Sequence, residues 1–149
     1  VKAFELNVAD GLPFESYEDV FKYLHEKLTA AGIVKESYLE ALIAREREYP
    51  TGIELDGYAV AIPHCDTEHA LKPAIYILRT PRPILVNQAD GDNQLETQLI
   101  INLVVTSPLD QLQLLKSLFS HLQDKDFYKK LLELPAEEAK SLFNSTVVA

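Results

Sequence analysis

The sequence predicts an α/β fold in which one small mixed sheet of about five strands lies between helices on both faces. Short apolar runs bounded by proline, glycine or polar residues, at Tyr58–Ile62, Ala74–Leu78 and Leu99–Val105, have the length and composition of buried strands. Segments with apolar residues at helical spacing flank this block on both sides instead of alternating with its strands. Helices gathered at the two ends of a chain can cover both faces of a central sheet, and the missing strand–helix–strand repeat favours mixed strand directions.

The first helix opens at Ser16, followed by Glu18 and Asp19, acidic groups suited to a first turn. Val20, Phe21, Leu24 and Leu28 fall on one face, and Gly32 supplies the stop. A second helix carries Tyr38, Leu39, Leu42 and Ile43 on its apolar face and ends in Arg45-Glu46-Arg47-Glu48. Pro50-Thr51-Gly52 must leave it, because proline restricts the residue before it and glycine permits a turn. The run Tyr58–Ile62 then ends at Pro63, which fixes φ and removes a ladder donor. Asp66 or Thr67 can cap a short helical turn through Leu71, and Pro73 ends it. Ala74–Leu78 is a strong strand signal and Ile84–Val86 a weaker one, followed by a loop from Asn87 to Asn93 centred on Gly91. Leu99–Val105 is the longest apolar run, as expected of a central strand buried on both faces. Ser107-Pro108 starts a helix whose buried stripe is read as Leu112, Leu115, Leu118, Phe119 and Leu122. Two short helices follow, near Asp126–Leu132 and Ala136–Phe143.

The 149 residues suit one domain, 1–149, and show no linker, repeat or low-complexity segment. A net charge of −9, from 23 acidic and 14 basic side chains, would repel phosphate backbones and argues against a nucleic-acid partner. The single cysteine, Cys65, cannot form an internal disulfide and fits a reducing compartment. No apolar stretch approaches the roughly 20 residues of a membrane span, and Val1–Leu6 lacks a signal-peptide pattern, so a cytoplasmic protein without membrane insertion is expected.

No glycine-rich phosphate loop, nucleophile elbow or paired-cysteine motif is present. His64, Cys65 and His69 invite a zinc site, but their spacing is not that of a structural one, and His25 and His121 lie far away in sequence. Adjacent residues of an extended chain point to opposite sides, so His64 is poorly placed to activate Cys65 as a nucleophile. An isolated Pro-His at a strand end is ordinarily a turn. A histidine held there by a stiff backbone can also act as a nucleophile itself, since neutral imidazole offers a lone pair at cellular pH. To carry a phosphoryl group it needs one ring nitrogen fixed, the other exposed, and donors for the phosphoryl oxygens. Arginine suits that last task, and Arg45 and Arg47 lie at the end of the preceding helix.

Arg45-Glu46-Arg47-Glu48-Tyr49-Pro50-Thr51-Gly52 followed by Ala61-Ile62-Pro63-His64 resembles the signature of the enzyme IIA domains of the bacterial phosphoenolpyruvate-dependent sugar phosphotransferase system, fructose/mannitol type. Ala41–Glu46, Pro50–Ile53, Ala61–Cys65, His69-Ala70, Ala74–Tyr76 and Gln88–Asp90 are similar to the galactitol branch. The resemblance implies that His64 accepts phosphate from HPr, at Nε2, and gives it to a cysteine of enzyme IIB, which serves the membrane component IIC. It implies that Arg45 is the phosphoryl clamp, with Arg47 fitting the pattern less well, and it implies no dissociable cofactor. The mannitol and fructose relatives carry a second active-site histidine where this chain has Gln111, which can accept or donate hydrogen bonds but cannot become a cation or shuttle a proton. Gln111 is therefore a candidate for polar support, and His69 a residue of turn packing. The rival expectation is a regulatory relative that signals by its phosphorylation state and feeds no transporter.

Overall fold

The apolar run around residue 100 forms the middle of a five-stranded sheet in the computed structural model, which describes residues 5–89 and 93–148. In chain order the elements are β1 (Glu5–Asp10), α1 (Tyr17–Ala30), α2 (Tyr38–Glu48), β2 (Gly52–Glu54), β3 (Ala59–Ala61), a 3-10 turn (Thr67–His69), β4 (Ala74–Asn87), β5 (Gln94–Val104), α3 (Pro108–Leu122), α4 (Lys125–Glu133) and α5 (Ala136–Thr146). The strands lie in the order β1-β4-β5-β3-β2. The β1–β4 and β3–β5 pairs are parallel, and the β4–β5 and β2–β3 pairs antiparallel, so the sheet is mixed as expected.

Alternation along β5 sorts its side chains between two cores. Leu99, Ile101 and Leu103 pack with Leu114, Leu118, Leu131 and Phe143 from α3, α4 and α5. Ile100 and Val104 pack with Leu24, Leu28, Tyr38 and Leu42 from α1 and α2. Both faces of the middle strand are thus covered, which is why its sequence is almost wholly apolar.

The helix starts follow their caps. Ser16 Oγ accepts from Asp19 N, and Ser107 Oγ from Asp110 N with Pro108 in the first turn of α3. Gly32 takes φ +71° just beyond α1, a conformation in which a Cβ would be strained. The buried residues of α1 are Val20, Phe21, Leu24 and Leu28, the face its periodicity predicts.

Several elements depart from the sequence expectation. β1 was not anticipated, although Phe4, Leu6 and Val8 alternate with Glu5 and Asn7 in the sequence; its Leu6 and Val8 pack on the α3–α5 side. β2 spans only Gly52–Glu54 and carries no signal of its own. The two strands expected at Ala74–Leu78 and Ile84–Val86 are one long strand, β4, whose pairing with β5 is irregular between Arg79 and Ile84 around Pro81 and Pro83. The loop expected from Asn87 to Asn93 begins as β4 closes, and its centre, Gly91, lies outside the described residues. The buried face of α3 is Leu114, Leu118 and Leu122, whereas Leu112 and Phe119 are exposed. Leucine at nearly every turn gives α3 a second apolar stripe (Leu112, Leu115, Phe119), and periodicity alone does not say which stripe meets the sheet.

Arg79 fastens the far edge. Its guanidinium engages both carboxylate oxygens of Asp10 at 2.5 Å and donates to the carbonyls of Leu131 and Leu134, which ties β1 and β4 to the end of α4.

Gly52 is fixed by close approach: a Cβ there would lie 2.4 Å from the carbonyl oxygen of Asn87. Its own carbonyl accepts from Ala89 N at 2.7 Å. Gly52→Ala should therefore lower unfolding stability by about 1–3 kcal/mol, as overpacking against backbone does. Urea denaturation checks this, and an unchanged midpoint would show that the β2–β4 contact gives way without strain.

Candidate functional site

β3 carries His64 to the rim of the sheet. Pro63 ends the strand, and its carbonyl accepts from Leu103 N at 3.2 Å and from Asn102 Nδ2 at 3.1 Å. Asn102 is fully buried in β5, and its Nδ2 also reaches the Tyr38 hydroxyl at 2.9 Å. The residue before His64 is thus pinned to the middle strand by backbone and side chain together.

The ring of His64 is oriented by its own turn. Nδ1 lies 2.8 Å from the carbonyl oxygen of Ile62, and a carbonyl can only accept, so Nδ1 carries the proton. That leaves the lone pair on Nε2. Burial holds the pKa of His64 below its ordinary value; the bond to Ile62 acts against the shift, the nearby Arg45 adds to it, and Asp66 opposes it. The ring is a neutral base.

Arg45 comes from the last turn of α2. It lies over Tyr49, with its guanidinium carbon 4.9 Å from the ring centroid, and it pairs loosely with Asp66 at 3.6 Å. Its Nε is buried and has no hydrogen-bond partner among the described residues. Arg45 and His64 line one cavity of about 220 Å³. Its walls are otherwise mostly apolar, including Ile53, Ile62, Leu115 and Phe119. A neutral nitrogen nucleophile and a guanidinium with a spare donor, in a small partly dry recess, can receive a compact anionic group.

Glu46, which looks in sequence like one more charge on a solvated helix end, is buried. Its carboxylate accepts from Thr51 N at 2.7 Å, from Thr51 Oγ1 at 2.6 Å and from the Tyr17 hydroxyl at 3.3 Å. Burial raises its pKa, while the Thr51 and Tyr17 bonds oppose the rise. These bonds bend the chain from α2 into β2 and set Thr51 in the cavity wall. The signal was available: Glu46 is four residues after Leu42, on the buried face of α2.

The other expected residues are more dispersed. Gln111 does not line the cavity; its Nε2 donates to the carbonyl of Cys65 at 3.1 Å, bracing the segment just after His64. Arg47 is exposed. His69 Nδ1 bonds Ser37 Oγ at 2.8 Å, joining the 3-10 turn to the start of α2. Cys65 is buried, and burial pushes its thiol up to about 12, so it stays protonated. His25 and His121 bond the backbone carbonyls of Glu36 and Ser117. No group of three or more His, Cys, Asp or Glu side chains among the described residues could hold a metal ion. No described helix is long and apolar enough to cross a membrane.

Comparison with known proteins adds to this geometry. Residues 5–145 match the family model described as "Phosphoenolpyruvate-dependent sugar phosphotransferase system, EIIA 2". The "PTS system galactitol-specific EIIA component" of Escherichia coli (strain K12) is 41% identical over 143 residues, covering 96% of this chain and 95% of that protein. Among solved structures, enzyme IIAMTL in its complex with phosphorylated enzyme IIBMTL from Escherichia coli superposes with a TM-score of 0.73 at 22% identity, covering 93% of this chain and 94% of that one. The nitrogen regulatory protein IIA-Ntr from Neisseria meningitidis does so with a TM-score of 0.71 at 24% identity, covering 93% and 92%. At these identities the structures speak to the fold alone.

Nitrogen-detected NMR of the histidine rings tests the site's electrostatics. His64 should show the Nδ1–H tautomer and a titration midpoint below the ordinary 6.5. Because the folded state then binds its proton later than the unfolded chain, the His64 contribution to stability is intact above pH 6.5 and declines as pH falls through that value. A midpoint at or above 6.5, or an Nε2–H tautomer, would contradict the orientation described.

Proposed function

Since the chain belongs to the EIIA type 2 family of the phosphoenolpyruvate-dependent sugar phosphotransferase system, we propose that it carries phosphate on His64, from HPr to a cysteine of a cognate IIB. Family membership makes the chain a phosphotransferase component of a sugar phosphotransferase system. The further reading is that residues 1–149 act as one domain in the cytoplasm and serve, through IIB, the IIC membrane component of a galactitol-type transporter. The relative at 41% identity over nearly its whole length supports that choice of branch.

The observation that carries the proposal is the bond from His64 Nδ1 to the Ile62 carbonyl, which commits one nitrogen and frees the other beside Arg45. In the first transfer, the Nε2 lone pair attacks phosphorus. The new N–P bond forms as the donor's N–P bond breaks, and the donor imidazole keeps the electron pair. In the second, a IIB thiolate attacks the same phosphorus, the His64 N–P bond breaks, and its electron pair returns to Nε2. Because the Ile62 carbonyl keeps Nδ1 protonated throughout, His64 departs as neutral imidazole, a far better leaving group than its anion.

Arg45 supplies the cation for the phosphoryl oxygens. Gln111 acts at one remove, by bracing the Cys65 carbonyl. Around the mouth, Tyr49, Leu112 and Phe119 are 57%, 50% and 38% exposed. With Leu115 they form an apolar collar suited to partners that dock briefly and leave.

Incubation with phosphoenolpyruvate, enzyme I and HPr should place one acid-labile phosphoryl group on the chain, and His64→Ala should abolish it. Labelling that survives His64→Ala, or no labelling of the parent chain, would sink the proposal. A chain that labels but passes phosphate to no IIB would favour the regulatory alternative. Arg45→Ala should slow the transfer roughly 10²-fold, the usual cost of removing one oxyanion donor. Gln111→Ala should slow it only by about two- to tenfold, the range for one neutral hydrogen bond. Stopped-flow or rapid-quench assays with phosphorylated HPr read both.

A further inference from the structure

We propose that Asp66 is a positioning residue for the transfer: it holds Arg45 while His64 is bare and releases it to the phosphoryl group once His64 is charged. The inference rests on His64 carrying phosphate, as proposed above. It concerns what keeps that phosphate from being held too tightly.

Asp66 stands two residues after His64, and its Oδ1 lies 3.6 Å from the terminal nitrogen of Arg45. It occupies the cap position of the 3-10 turn Thr67–His69, yet its side chain makes no capping bond. The carboxylate is therefore not committed to the turn and is directed to Arg45 instead. The pair is loose and solvated, with the Arg45 and Asp66 side chains 37% and 70% exposed, so it is cheap to break. Arg45 has donor capacity in reserve, since its Nε has no partner among the described residues.

Asp66 and Arg45 also act on the His64 ring with opposite sign, the acid favouring the protonated ring and the guanidinium disfavouring it. A phosphoryl group on Nε2 brings nearly two negative charges to the cavity that Arg45 lines, against the one that Asp66 offers Arg45 from outside it. Arg45 turns to the stronger anion, and Asp66 is left without its cation. That change subtracts from the stability of the phosphorylated form, because the Arg45–Asp66 contact is lost. No covalent bond or proton moves on Asp66. Its effect is to offset part of what Arg45 contributes, which keeps the phosphohistidine close in energy to its donor and acceptor. A carrier that bound phosphate as tightly as Arg45 alone allows would slow its own discharge.

The test is the equilibrium of phosphate between HPr and this chain, read by quantifying both phosphoproteins after incubation with phosphorylated HPr. Asp66→Asn should shift it toward the phosphorylated chain by about two- to fivefold, the range of an exposed ion pair. The shift should shrink as salt is raised. Asp66→Glu should restore most of the parent value. In an Arg45→Ala background the same Asp66→Asn change should produce less than half the shift, because there is then no cation to exchange. An unchanged equilibrium in Asp66→Asn, with His64 still labelled, would overturn the inference while leaving the carrier function standing. An equal shift with and without Arg45 would also overturn it, by showing that Asp66 acts on the phosphate directly. Failure of the parent chain to label would instead strike at the carrier function.

Discussion

The carbonyl of Pro63 is the point at which sheet and site meet. Proline cannot continue a ladder as a donor, but it can accept, and this one accepts twice from β5: from the backbone of Leu103 and from the side chain of Asn102. β5 is itself packed on both faces, so an anchor there is an anchor in the middle of the molecule. His64 follows immediately, and its ring folds back on the Ile62 carbonyl one residue before the proline. A short strand of three residues thereby holds a titratable ring at the rim with a defined tautomer. The surrounding apolar wall then lowers its pKa and keeps it a neutral base.

The second wall of the site is built from the other half of the signature. β2 pairs with β3 so that Gly52 lies opposite Ala61, which sets Pro50-Thr51 beside Ile62-Pro63. The Tyr17 and Thr51 bonds to Glu46 fix the bend between α2 and β2, and the absence of a Cβ at Gly52 lets β2 approach Asn87. Arg45, one residue before Glu46, is consequently delivered to the cavity by a buried carboxylate on the neighbouring position. Two segments separated in sequence act as one site because an antiparallel pair joins them. Neither motif would place an arginine beside a histidine without the other.

Much of this was legible in the chain. The Ser16 and Ser107-Pro108 starts, the stripe of α1, the central run of β5 and the break at Pro50–Gly52 all express local physics that tertiary packing did not need to overrule. The need of a phosphoryl group for a cation pointed to Arg45 or Arg47, and of the two Arg45 lines the cavity with His64. What stayed hidden depends on neighbours. The sequence at β1 does carry a period-2 signal, with Phe4, Leu6 and Val8 alternating with Glu5 and Asn7, but a short one at the sheet edge, and β2 has only three residues in all. Ala74–Leu78 and Ile84–Val86 show as two separate apolar signals, but β4 runs through both and absorbs Pro81 and Pro83 in an irregular stretch of its pairing with β5. α3 offers two apolar stripes, and only the assembled sheet decides that Leu114 and Leu118 go inward while Leu112 and Phe119 stay beside the site. Gln111, expected as a candidate for polar support, has its amide turned to the Cys65 carbonyl, a partner that no spacing rule identifies.

The account turns on one atom. With Nδ1 of His64 committed to the Ile62 carbonyl, the proposed carrier function requires Nε2 as the phosphorylated nitrogen. Phosphorus–nitrogen couplings in the phosphorylated, nitrogen-15 histidine-labelled chain decide this directly. The account predicts a single phosphorylated ring, with phosphorus bonded to Nε2 of His64 and a proton retained on Nδ1. Phosphorus on Nδ1, or on any ring other than His64, would contradict it.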